Sequence, residues 1–409
     1  MLPVPTPCGN GRQTPMKVLV VHNYYQQRGG EDVVSEAEVA LLRGAGHDVE
    51  FFTVHNKDIT GWWQKAATAG LTVYNPWARA RLAAKLKTFR PDLVHVHNFF
   101  PQFTPSIFDA CRAAGVPSVM TLHNFRILCP TAFLFHDETL REQSLRQSAF
   151  WTVRHGTYHG SPVATFFVAF MVEFHKWAGT WRRKVDRLIA LTDFAKAKFV
   201  EGGLEQAHIA VKGNALADPL RGVSSAQAER RGALYVGRLS QEKGISTLLS
   251  AWSEIDYPLR IVGDGPLRAT CEDAQSEHIS YLGPLDRDAV YAEMRKASFL
   301  ILPSVWYEMF PMTLVEAFAN GLPVIASRLG GLASLLDEGV TGLAFAPGRP
   351  EDVRVNVRWA IDNPGAMADM GARGRTVYEN LYSTEENYKN LMQIYADVLA
   401  AKGELPARG

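Results

Sequence analysis

The 409-residue sequence contains little cysteine, since Cys8, Cys111, Cys129 and Cys271 are scattered along the chain and form no CxxC pair. This scarcity excludes a disulfide scaffold and favours a reduced, cytosolic protein, with buried thiols at least at Cys111 and Cys271. Long apolar runs are absent as well. The longest, near residues 163–172, is far shorter than the roughly 20 residues that a spanning helix needs. We therefore predict no transmembrane segment.

An excess of one charge sign is also absent from the whole chain. It contains 43 Lys and Arg against 42 Asp and Glu, which removes any broad electrostatic argument for nucleic-acid binding. The charge is distributed unevenly, however. Residues 1–215 carry 24 basic against 17 acidic side chains, and residues 216–409 carry 19 against 25. A basic half joined to an acidic half suggests that the two halves meet different partners.

The composition and the apolar patterns indicate a globular protein of two domains. A hydrophobic share of 47% is ordinary for such proteins, and the length suits two domains of about 200 residues each. Residues 1–15 are rich in Pro, Gly and Thr and lack the apolar core of a signal peptide, so we expect a flexible leader.

Short apolar strands alternate with helical patterns along most of the chain. Strands are predicted at 16–22, 49–54, 93–97, 118–122 and 188–191, and, after a linker at 212–232, at 233–236, 259–262, 279–282, 299–302 and 324–326. Continuous apolar strands separated by helices indicate parallel sheets covered on both faces. We therefore predict two successive doubly wound α/β domains, in which ligands bind outside the carboxyl ends of the strands.

The strongest motif contains two carboxylates, Glu308 and Glu316, between a predicted strand and a helix that begins near Pro311. Proline is tolerated in the first helical turn. The free amides of a helix start can face an anion, here those of Phe310, Met312 and Thr313. Glu308 can accept hydrogen bonds from sugar hydroxyls, and Glu316 can hold a ribose diol. A loop glutamate followed by a solvated helical glutamate would give the same pattern.

A second motif places Arg238 and Lys243 on a loop bounded by glycines at positions 237 and 244, directly after the first strand of the second domain. Two cations at the carboxyl end of a strand suit a diphosphate, because charge-assisted hydrogen bonds contribute about 1.5–3 kcal/mol each. A surface turn with two solvated charges is the alternative.

Two weaker motifs follow strands of the first domain. Arg28, Gly29, Gly30 and Glu31 follow the first strand, where paired glycines permit close approach of the backbone and acidic residues favour a helix start. A plain turn explains them equally well. His123 ends a later strand, where ligands bind, although a single histidine is more often structural.

Two further patterns are rejected as binding motifs. Gly263 and Gly265 resemble the start of a dinucleotide fingerprint, but Arg268 occupies the third glycine position, so we predict no NAD site. Asp286 and Asp288 form a DxD triplet ahead of a helical stretch, where N-capping and compensation of the helix dipole explain them better than a metal. No metal and no cofactor are predicted.

Together these motifs resemble the GT-B glycosyltransferases of the retaining family 4 (glycosyl transferases group 1) type, from Lys17 to about Tyr395. The most specific parts are EMFPMTLVEAFANGLPVIAS from position 308, GRLSQEKG from 237 and VGDGP from 262. The resemblance implies two Rossmann-like domains facing across a cleft. We expect a leader at 1–15, an acceptor-binding domain at 16–213, a nucleotide-sugar-binding domain at 214–380, and a C-terminal helix at 381–409 that crosses back to the first domain.

The resemblance also implies roles for individual residues. The expected catalytic set is His123, Arg238, Lys243 and Glu308. The expected donor-binding set is Gly29, Gly30, Arg238, Lys243, Gly263, Leu282, Glu308, Phe310, Pro311, Met312 and Glu316. In this family the first domain binds the acceptor, so the loop after the third strand could line that pocket or form a core-facing turn; it contains His97, Asn98 and Phe99.

These expectations describe a metal-independent, retaining hexosyltransferase. The nucleotide sugar, UDP- or GDP-linked, would be a substrate, and the acceptor a glycan or lipid-linked hydroxyl in bacterial surface polysaccharide or lipid-linked glycan synthesis. A sugar-nucleotide 2-epimerase would share the fold but needs no acceptor cleft. A non-catalytic nucleotide-sugar-binding or scaffold protein should have lost donor residues, all of which are present.

Two segments suggest contact with a membrane. Residues 59–91 carry three tryptophans and no acid, with cations at Lys65, Arg79, Arg81, Lys85, Lys87 and Arg90. Residues 166–184 combine six aromatic side chains with the cluster Arg182, Arg183 and Lys184. Core aromatics with a solvated basic face are one interpretation; an interfacial surface for anionic lipid or a lipid-diphosphate acceptor is the other. The second would make this cytoplasmic protein peripheral on the inner face of the plasma membrane.

Overall fold

The computed structural model of the chain describes residues 14–26, 29–222 and 230–403. Most of the predicted leader, Arg28 of the diglycine loop and the middle of the predicted linker lie outside the described residues. The chain divides into two compact units. One contains residues 1–136, 141–215 and 387–409, and the other contains residues 137–140 and 216–386.

The first unit is built on a six-stranded parallel sheet with the order β2-β1-β3-β4-β7-β8. The order reverses between β1 and β3, so a crevice for ligands lies at the carboxyl ends of these strands. Its strands are β1 (Lys17–Tyr24), β2 (Asp48–His55), β3 (Leu93–Val96), β4 (Ser118–Leu122), β7 (Arg187–Ala190) and β8 (Ile209–Val211). A separate two-stranded sheet contains β5 (Phe135–His136) and β6 (Thr139–Leu140).

Helices cover both faces of this sheet. They are α1 (Gly30–Gly44), α2 (Trp62–Leu71), α3 (Pro76–Phe89), α4 (Ser106–Ala114), α5 (Gln143–Arg146), α6 (Trp151–Arg154), α7 (Pro162–Trp177), α8 (Thr180–Arg183) and α9 (Asp193–Glu201). The starts of α3 and α7 follow one rule, because a capping side chain precedes a proline in the first turn. Asn75 accepts hydrogen bonds from Trp77 and Ala78, and Ser161 accepts one from Ala164.

The second unit contains the sheet β11-β10-β9-β12-β13-β14, also parallel throughout. Its strands are β9 (Ala233–Val236), β10 (Leu259–Val262), β11 (Ile279–Gly283), β12 (Phe299–Leu302), β13 (Val324–Ser327) and β14 (Gly342–Phe345). Its helices are α10 (Ile245–Trp252), α11 (Arg268–Asp273), α12 (Arg287–Lys296), α13 (Met312–Ala319), α14 (Gly330–Leu335), α15 (Pro350–Asp362) and α16 (Pro364–Val377). The order reverses between β9 and β12, which again places a ligand crevice at their carboxyl ends.

The last helix, α17 (Thr384–Gly403), packs on the core of the first unit. Its buried residues Leu391, Tyr395 and Val398 join a cluster that includes Val18 and Val20 of β1. Burying a side chain of this size contributes about 1.5–3 kcal/mol, so α17 is an integral part of that unit.

The two parallel sheets confirm the predicted α/β class and its doubly wound topology. The structure also bears on the DxD triplet, since Asp286 caps α12 by accepting a hydrogen bond from the amide of Ala289 at 2.8 Å. Among the described residues, no helix combines the length and the apolar character needed to cross a bilayer.

Candidate functional site

In the second unit, the loop after β9 is fixed against the loop after β12 by Gly244. This glycine has φ = +75°, and a Cβ placed on it would lie 1.9 Å from the carbonyl oxygen of Pro303. Only glycine fits such a position without strain. The amide of Val305 donates to the carbonyl of Glu242 at 2.9 Å and joins the same two loops. The preceding residue, Lys243, is thereby directed toward the β12 loop.

Lys243 and Glu308, which the sequence analysis placed in one site, are in direct contact. The Lys243 Nζ donates to Glu308 Oε1 at 2.6 Å, and Ser304 Oγ donates to the same oxygen at 2.8 Å. The ammonium also lies 5.4 Å from the centre of the Trp306 ring. Burial alone would raise the pKa of Glu308, but Lys243 and the hydrogen bonds outweigh it and hold the pKa below its usual value. Glu308 is therefore an ionised carboxylate.

Arg238 lies on the same loop as Lys243 but presents an exposed side chain. Its carbonyl accepts a hydrogen bond from the Tyr235 hydroxyl at 2.9 Å, which fixes the backbone at this point. The backbone of Arg238 is fixed, while its guanidinium lies in solvent. This arrangement suits the binding of an anion, because the guanidinium can reach a ligand without giving up a buried partner.

The amino end of α13 lies beside Glu308 and begins as the sequence indicated. Pro311 occupies the N-cap position, and the amides of Met312 and Thr313 fall in the first turn, where a helix offers no internal acceptor. Phe310 is buried with its ring in edge contact with Tyr382 at 5.6 Å between centroids. The helix start is thus presented by a rigid segment.

A feature that sequence reasoning missed is the diglycine that opens α14. The amide of Gly331 donates to the carbonyl of Glu308 at 2.7 Å, and a Cβ on Gly331 would lie 2.4 Å from that oxygen. A Cβ on the neighbouring Gly330 would lie 3.0 Å from the Cα of Tyr307. Two adjacent glycines before a helix were the available signal. They allow α14 to clamp the loop that carries Glu308.

The other predicted donor residues lie at neighbouring strand ends and on α13. Gly263 has φ = +141°, and a Cβ on it would lie 1.9 Å from the carbonyl oxygen of Gly237. The Tyr281 hydroxyl donates to the carbonyl of Gly263 at 3.0 Å, next to the partly exposed Leu282. Glu316 lies one turn into α13, and burial raises its pKa. The residues predicted to bind the base and the ribose are therefore ordered within the second unit.

In the first unit, parallel pairing of β3 and β4 brings His97 and His123 together. His97 Nδ1 lies 2.9 Å from His123 Nε2. Asn98 is buried and donates to the carbonyl of Asn23 at 2.8 Å, while the buried Phe99 ring packs on Trp181 at 5.5 Å. The structure therefore unites the two histidines, and it buries Asn98 and Phe99, which with His97 contribute to the lining of a small pocket.

A small pocket lies beside His123, lined in part by Tyr25, Glu31, Asn124 and Arg126. The Tyr25 hydroxyl donates to Glu31 Oε2 at 2.8 Å, and the Asn124 amide lies 3.5 Å from the same oxygen. Burial raises the pKa of Glu31 to about 8. Sequence reasoning assigned Glu31 only a role in the helix start, and its position directly after Gly29 and Gly30 was the available signal.

The glycine pair of the first unit forms the start of α1, with Gly29 at the N-cap and Gly30 as the first helical residue. Asp32 accepts from the amide of Gly29 at 2.8 Å and contacts His22 Nε2 at 2.7 Å. The predicted diglycine turn is therefore held by a buried carboxylate of the same helix.

A buried carboxylate, Glu38, lies behind the two histidines. Its Oε1 is 2.9 Å from His95 Nδ1 and 3.1 Å from His97 Nε2, and its Oε2 is 3.1 Å from Lys212 Nζ. One carboxylate with two imidazoles resembles a transition-metal ligand set. Here the ammonium of Lys212 already neutralises the carboxylate, so a hydrogen-bonded ion pair describes the cluster better. Neither Glu38 nor Lys212 was predicted.

Comparison with known proteins gives matches along most of the chain. A family model described as glycosyl transferases group 1 matches residues 218–377, and one described as glycosyl transferase 4-like domain matches residues 29–215. An uncharacterised glycosyltransferase of Methanocaldococcus jannaschii is 26% identical over 317 residues, which cover 75% of this chain and 76% of that protein.

Two further matches are similar in sequence or in structure. A GDP-mannose-dependent alpha-mannosyltransferase of Corynebacterium glutamicum is 30% identical over 173 residues, which cover 42% of this chain and 41% of that protein. The crystal structure of Anabaena Alr3699/HepE in complex with UDP superposes with a TM-score of 0.65 at 17% identity, and the match covers 93% of this chain and 100% of that one.

Proposed function

Because the chain belongs to the group 1 glycosyltransferases and has their GT-B fold, we propose that it transfers a hexose from a UDP- or GDP-linked donor to an acceptor hydroxyl with retention of the anomeric configuration. The observation that carries this proposal is the contact between Lys243 and Glu308 beside the free amides of α13. It combines a cation, a carboxylate and an anion-binding helix start within one unit.

Each part of this arrangement has a chemical task in the proposed reaction. The exposed Arg238 and the first amides of α13 bind the donor diphosphate, because helix starts attract anions. An ammonium has three N–H donors; Glu308 takes one, and we propose that Lys243 directs another to the departing phosphate. The ionised Glu308 accepts hydrogen bonds from the hexose, and Glu316 holds the ribose.

The identity of the base is tested by ligand-dependent stabilisation. Alr3699/HepE was crystallised with UDP and with UDP-glucose, whereas the Corynebacterium glutamicum relative is described as GDP-mannose-dependent; we therefore propose UDP or GDP as the nucleotide. A ligand at 100 times its Kd stabilises a protein by about 2.7 kcal/mol. Thermal denaturation with UDP, GDP, ADP or inorganic pyrophosphate should give a clear rise with UDP or GDP alone. Equal stabilisation by pyrophosphate would contradict a base-specific site.

The cations that the site already contains support our proposal that transfer is independent of a metal ion. With Arg238, Lys243 and the α13 amides neutralising the diphosphate, departure of the leaving group needs no divalent ion. Transfer should therefore proceed equally well with and without EDTA, and NMR of the product should show the donor's anomeric configuration. An inverted product, or loss of activity that Mg²⁺ restores, would contradict this mechanism. Donor incubated without acceptor should not be epimerised.

The acceptor is proposed to be a glycan or lipid-linked hydroxyl, and contact with an anionic bilayer is part of this proposal. Of the two candidate segments, the basic run at residues 59–91 has some of its cations in contact with other side chains of the protein. Lys85 pairs with Glu50 at 2.5 Å, and Arg81 lies 5.5 Å from the Phe52 ring centre. Lys65 belongs to the same run, but its side chain lies outside the described residues.

The aromatic side chains of α7 form a row along its outer face. Ring contacts of 5.8–6.2 Å connect Phe150, Phe166, Phe170, Phe174 and Trp177 in sequence. Trp177 is 83% exposed. The opposite face of α7 is buried and also largely apolar, with Val168, Met171 and Val172, so this helix is apolar on both sides. Tryptophan favours the headgroup region of a bilayer, and phenylalanine is typical of the apolar face of interfacial helices. We therefore propose α7 as the contacting surface.

Liposome co-sedimentation tests this surface. Replacing Phe166, Phe170 and Trp177 together by Ser should abolish pelleting with anionic liposomes at low salt. The matched control replaces the exposed apolar Val355 and Trp359 of α15 by Ser and should pellet like wild type. A second variant, with Arg79, Arg81, Lys85 and Lys87 changed to Ser, measures how much the basic run contributes to liposome binding. Binding that is equal for neutral and anionic lipid, or unaffected by the α7 changes, would contradict the proposal.

A further inference from the structure

The buried ion pair between Lys212 and Glu38 is fully engaged by its surroundings. Lys212 Nζ donates to Glu38 Oε2 at 3.1 Å, to Asn387 Oδ1 at 3.0 Å and to the carbonyl of Gly213 at 3.3 Å. The two side chains are 3% and 6% exposed. Because Asn387 belongs to α17, the returning helix completes the coordination of the ammonium.

The charge of Glu38 dictates the proton position on His97. Burial would raise the pKa of Glu38, but Lys212, His95 and His97 hold it well below its usual value. An ionised carboxylate can only accept hydrogen bonds. The His97 Nε2, 3.1 Å from Glu38 Oε1, must therefore carry a proton.

The same reasoning extends from His97 to His123. Burial lowers the pKa of His97 to about 4 and that of His123 well below its usual value, so both rings are neutral near pH 7. A neutral imidazole has one N–H. With its proton on Nε2, His97 offers the lone pair of Nδ1, and His123 Nε2 at 2.9 Å must donate to it. His123 Nδ1 is thereby left as an acceptor.

We propose that the Lys212–Glu38 pair, completed by Asn387, fixes the tautomers of His97 and His123, so that His123 presents an unprotonated Nδ1 to a substrate hydroxyl. In this scheme Glu38 and Lys212 are positioning residues and do not touch the substrate. The tautomer assignment stands on the geometry of the first unit alone. The identification of the hydroxyl as that of a sugar rests on the proposed glycosyl transfer.

The tautomers can be observed directly in the full chain. Two-bond ¹H–¹⁵N correlation spectra of protein labelled with [¹⁵N]histidine distinguish Nε2–H from Nδ1–H rings, and the variants His97→Asn and His123→Asn assign the two signals. We expect both rings to be single Nε2–H tautomers at pH 7.5. A protonated Nδ1 on His123, or averaging between the two tautomers, would overturn the proposal.

A pair of variants tests the role of the charge. Glu38→Gln alone leaves the Lys212 ammonium unpaired and can unfold the chain, so Glu38→Gln with Lys212→Met is the informative variant. We expect it to fold, to show mixed tautomers at His123, and to lose about 5- to 150-fold in kcat, the effect of one mispaired buried polar group. Stabilisation by UDP or GDP should be unchanged.

The matched control removes another ion pair of the first unit, Asp109–Lys184 at 2.7 Å, by Asp109→Asn with Lys184→Met. It should leave the His123 tautomer and kcat unchanged. Wild-type tautomers and kcat in the Glu38 and Lys212 double variant would overturn the proposal. So would uptake of one Zn²⁺ per chain from ZnCl₂ with loss of the His97 Nε2–H signal, because the cluster would then be a metal site. If no transfer is detected but the tautomers are as expected, the proposed function fails and the tautomer assignment stands.

Discussion

The replacement of Lys243 by Met tests how much the cation contributes to stability and to turnover. It leaves Glu308, 12% exposed, with neutral hydrogen-bond donors but no counterion. Removing one partner of a fully buried pair costs about 3–5 kcal/mol, and surface pairs contribute about 0–1 kcal/mol. Because Lys243 is 26% exposed, we expect a loss of about 2 kcal/mol. For a unit of this size that lowers Tm by roughly 4–8 °C.

The pH dependence of this loss has a defined sign. In the wild type the folded-state pKa of Glu308 lies below its ordinary value, so its contribution is present above the unfolded-state pKa and is lost as the pH falls through the folded-state pKa. In Lys243→Met, burial becomes the largest influence and raises the pKa of Glu308. That variant therefore gains relative stability as the carboxyl is protonated, and the Tm difference should shrink from pH 7 to pH 4.5.

The assay follows thermal unfolding by circular dichroism at both pH values, together with kcat/KM for transfer. The control is Lys296→Met, whose ammonium is 61% exposed and 2.7 Å from Glu293; its Tm should change little and its activity not at all. Lys243→Met should lose at least about 100-fold in kcat/KM, equivalent to about 2.7 kcal/mol of transition-state stabilisation. The reasoning would be refuted if the two variants showed equal Tm shifts. It would also be refuted if the Tm difference between Lys243→Met and wild type grew toward acid pH, or if Lys243→Met kept near-normal kcat/KM.

Three further changes separate backbone, electrostatic and core contributions. Gly244→Ala places a Cβ 1.9 Å from the Pro303 carbonyl oxygen, whereas Gly339, with a similar φ of +76°, has open space for a Cβ. Thermal unfolding should therefore show Gly244→Ala to be markedly less stable than Gly339→Ala. Equal losses of stability would contradict the steric argument. Arg238→Ala removes an exposed charge, so kcat/KM should fall by at least about 100-fold with Tm unchanged. Tyr395→Phe deletes a hydroxyl 2.7 Å from His95 Nδ1, which keeps its contact with Glu38; urea unfolding should show a loss of about 0.5–1.5 kcal/mol, the net contribution of one hydrogen bond.

The sequence determined most of the fold and the meeting of Lys243 with Glu308. Continuous apolar strands can only be buried on both faces, so their recurrence predicted two parallel sheets before any contact was known. The strands that it missed are short ones, among them β8 with three residues and β14, which begins at Gly342. Lys243 and Glu308 could be placed in one site because parallel strands bring the loops at their carboxyl ends together.

The tertiary structure alone decided the partners behind the site and the exposed face of α7. Glu38 and Lys212 are separated by 174 positions, and no local periodicity reports a contact between an interior helix residue and the end of an edge strand. The row from Phe166 to Trp177 was equally ambiguous, since a helix that is apolar on both faces gives no sign of which one is covered. Local pattern specifies which elements form, whereas long-range packing decides which of their side chains meet.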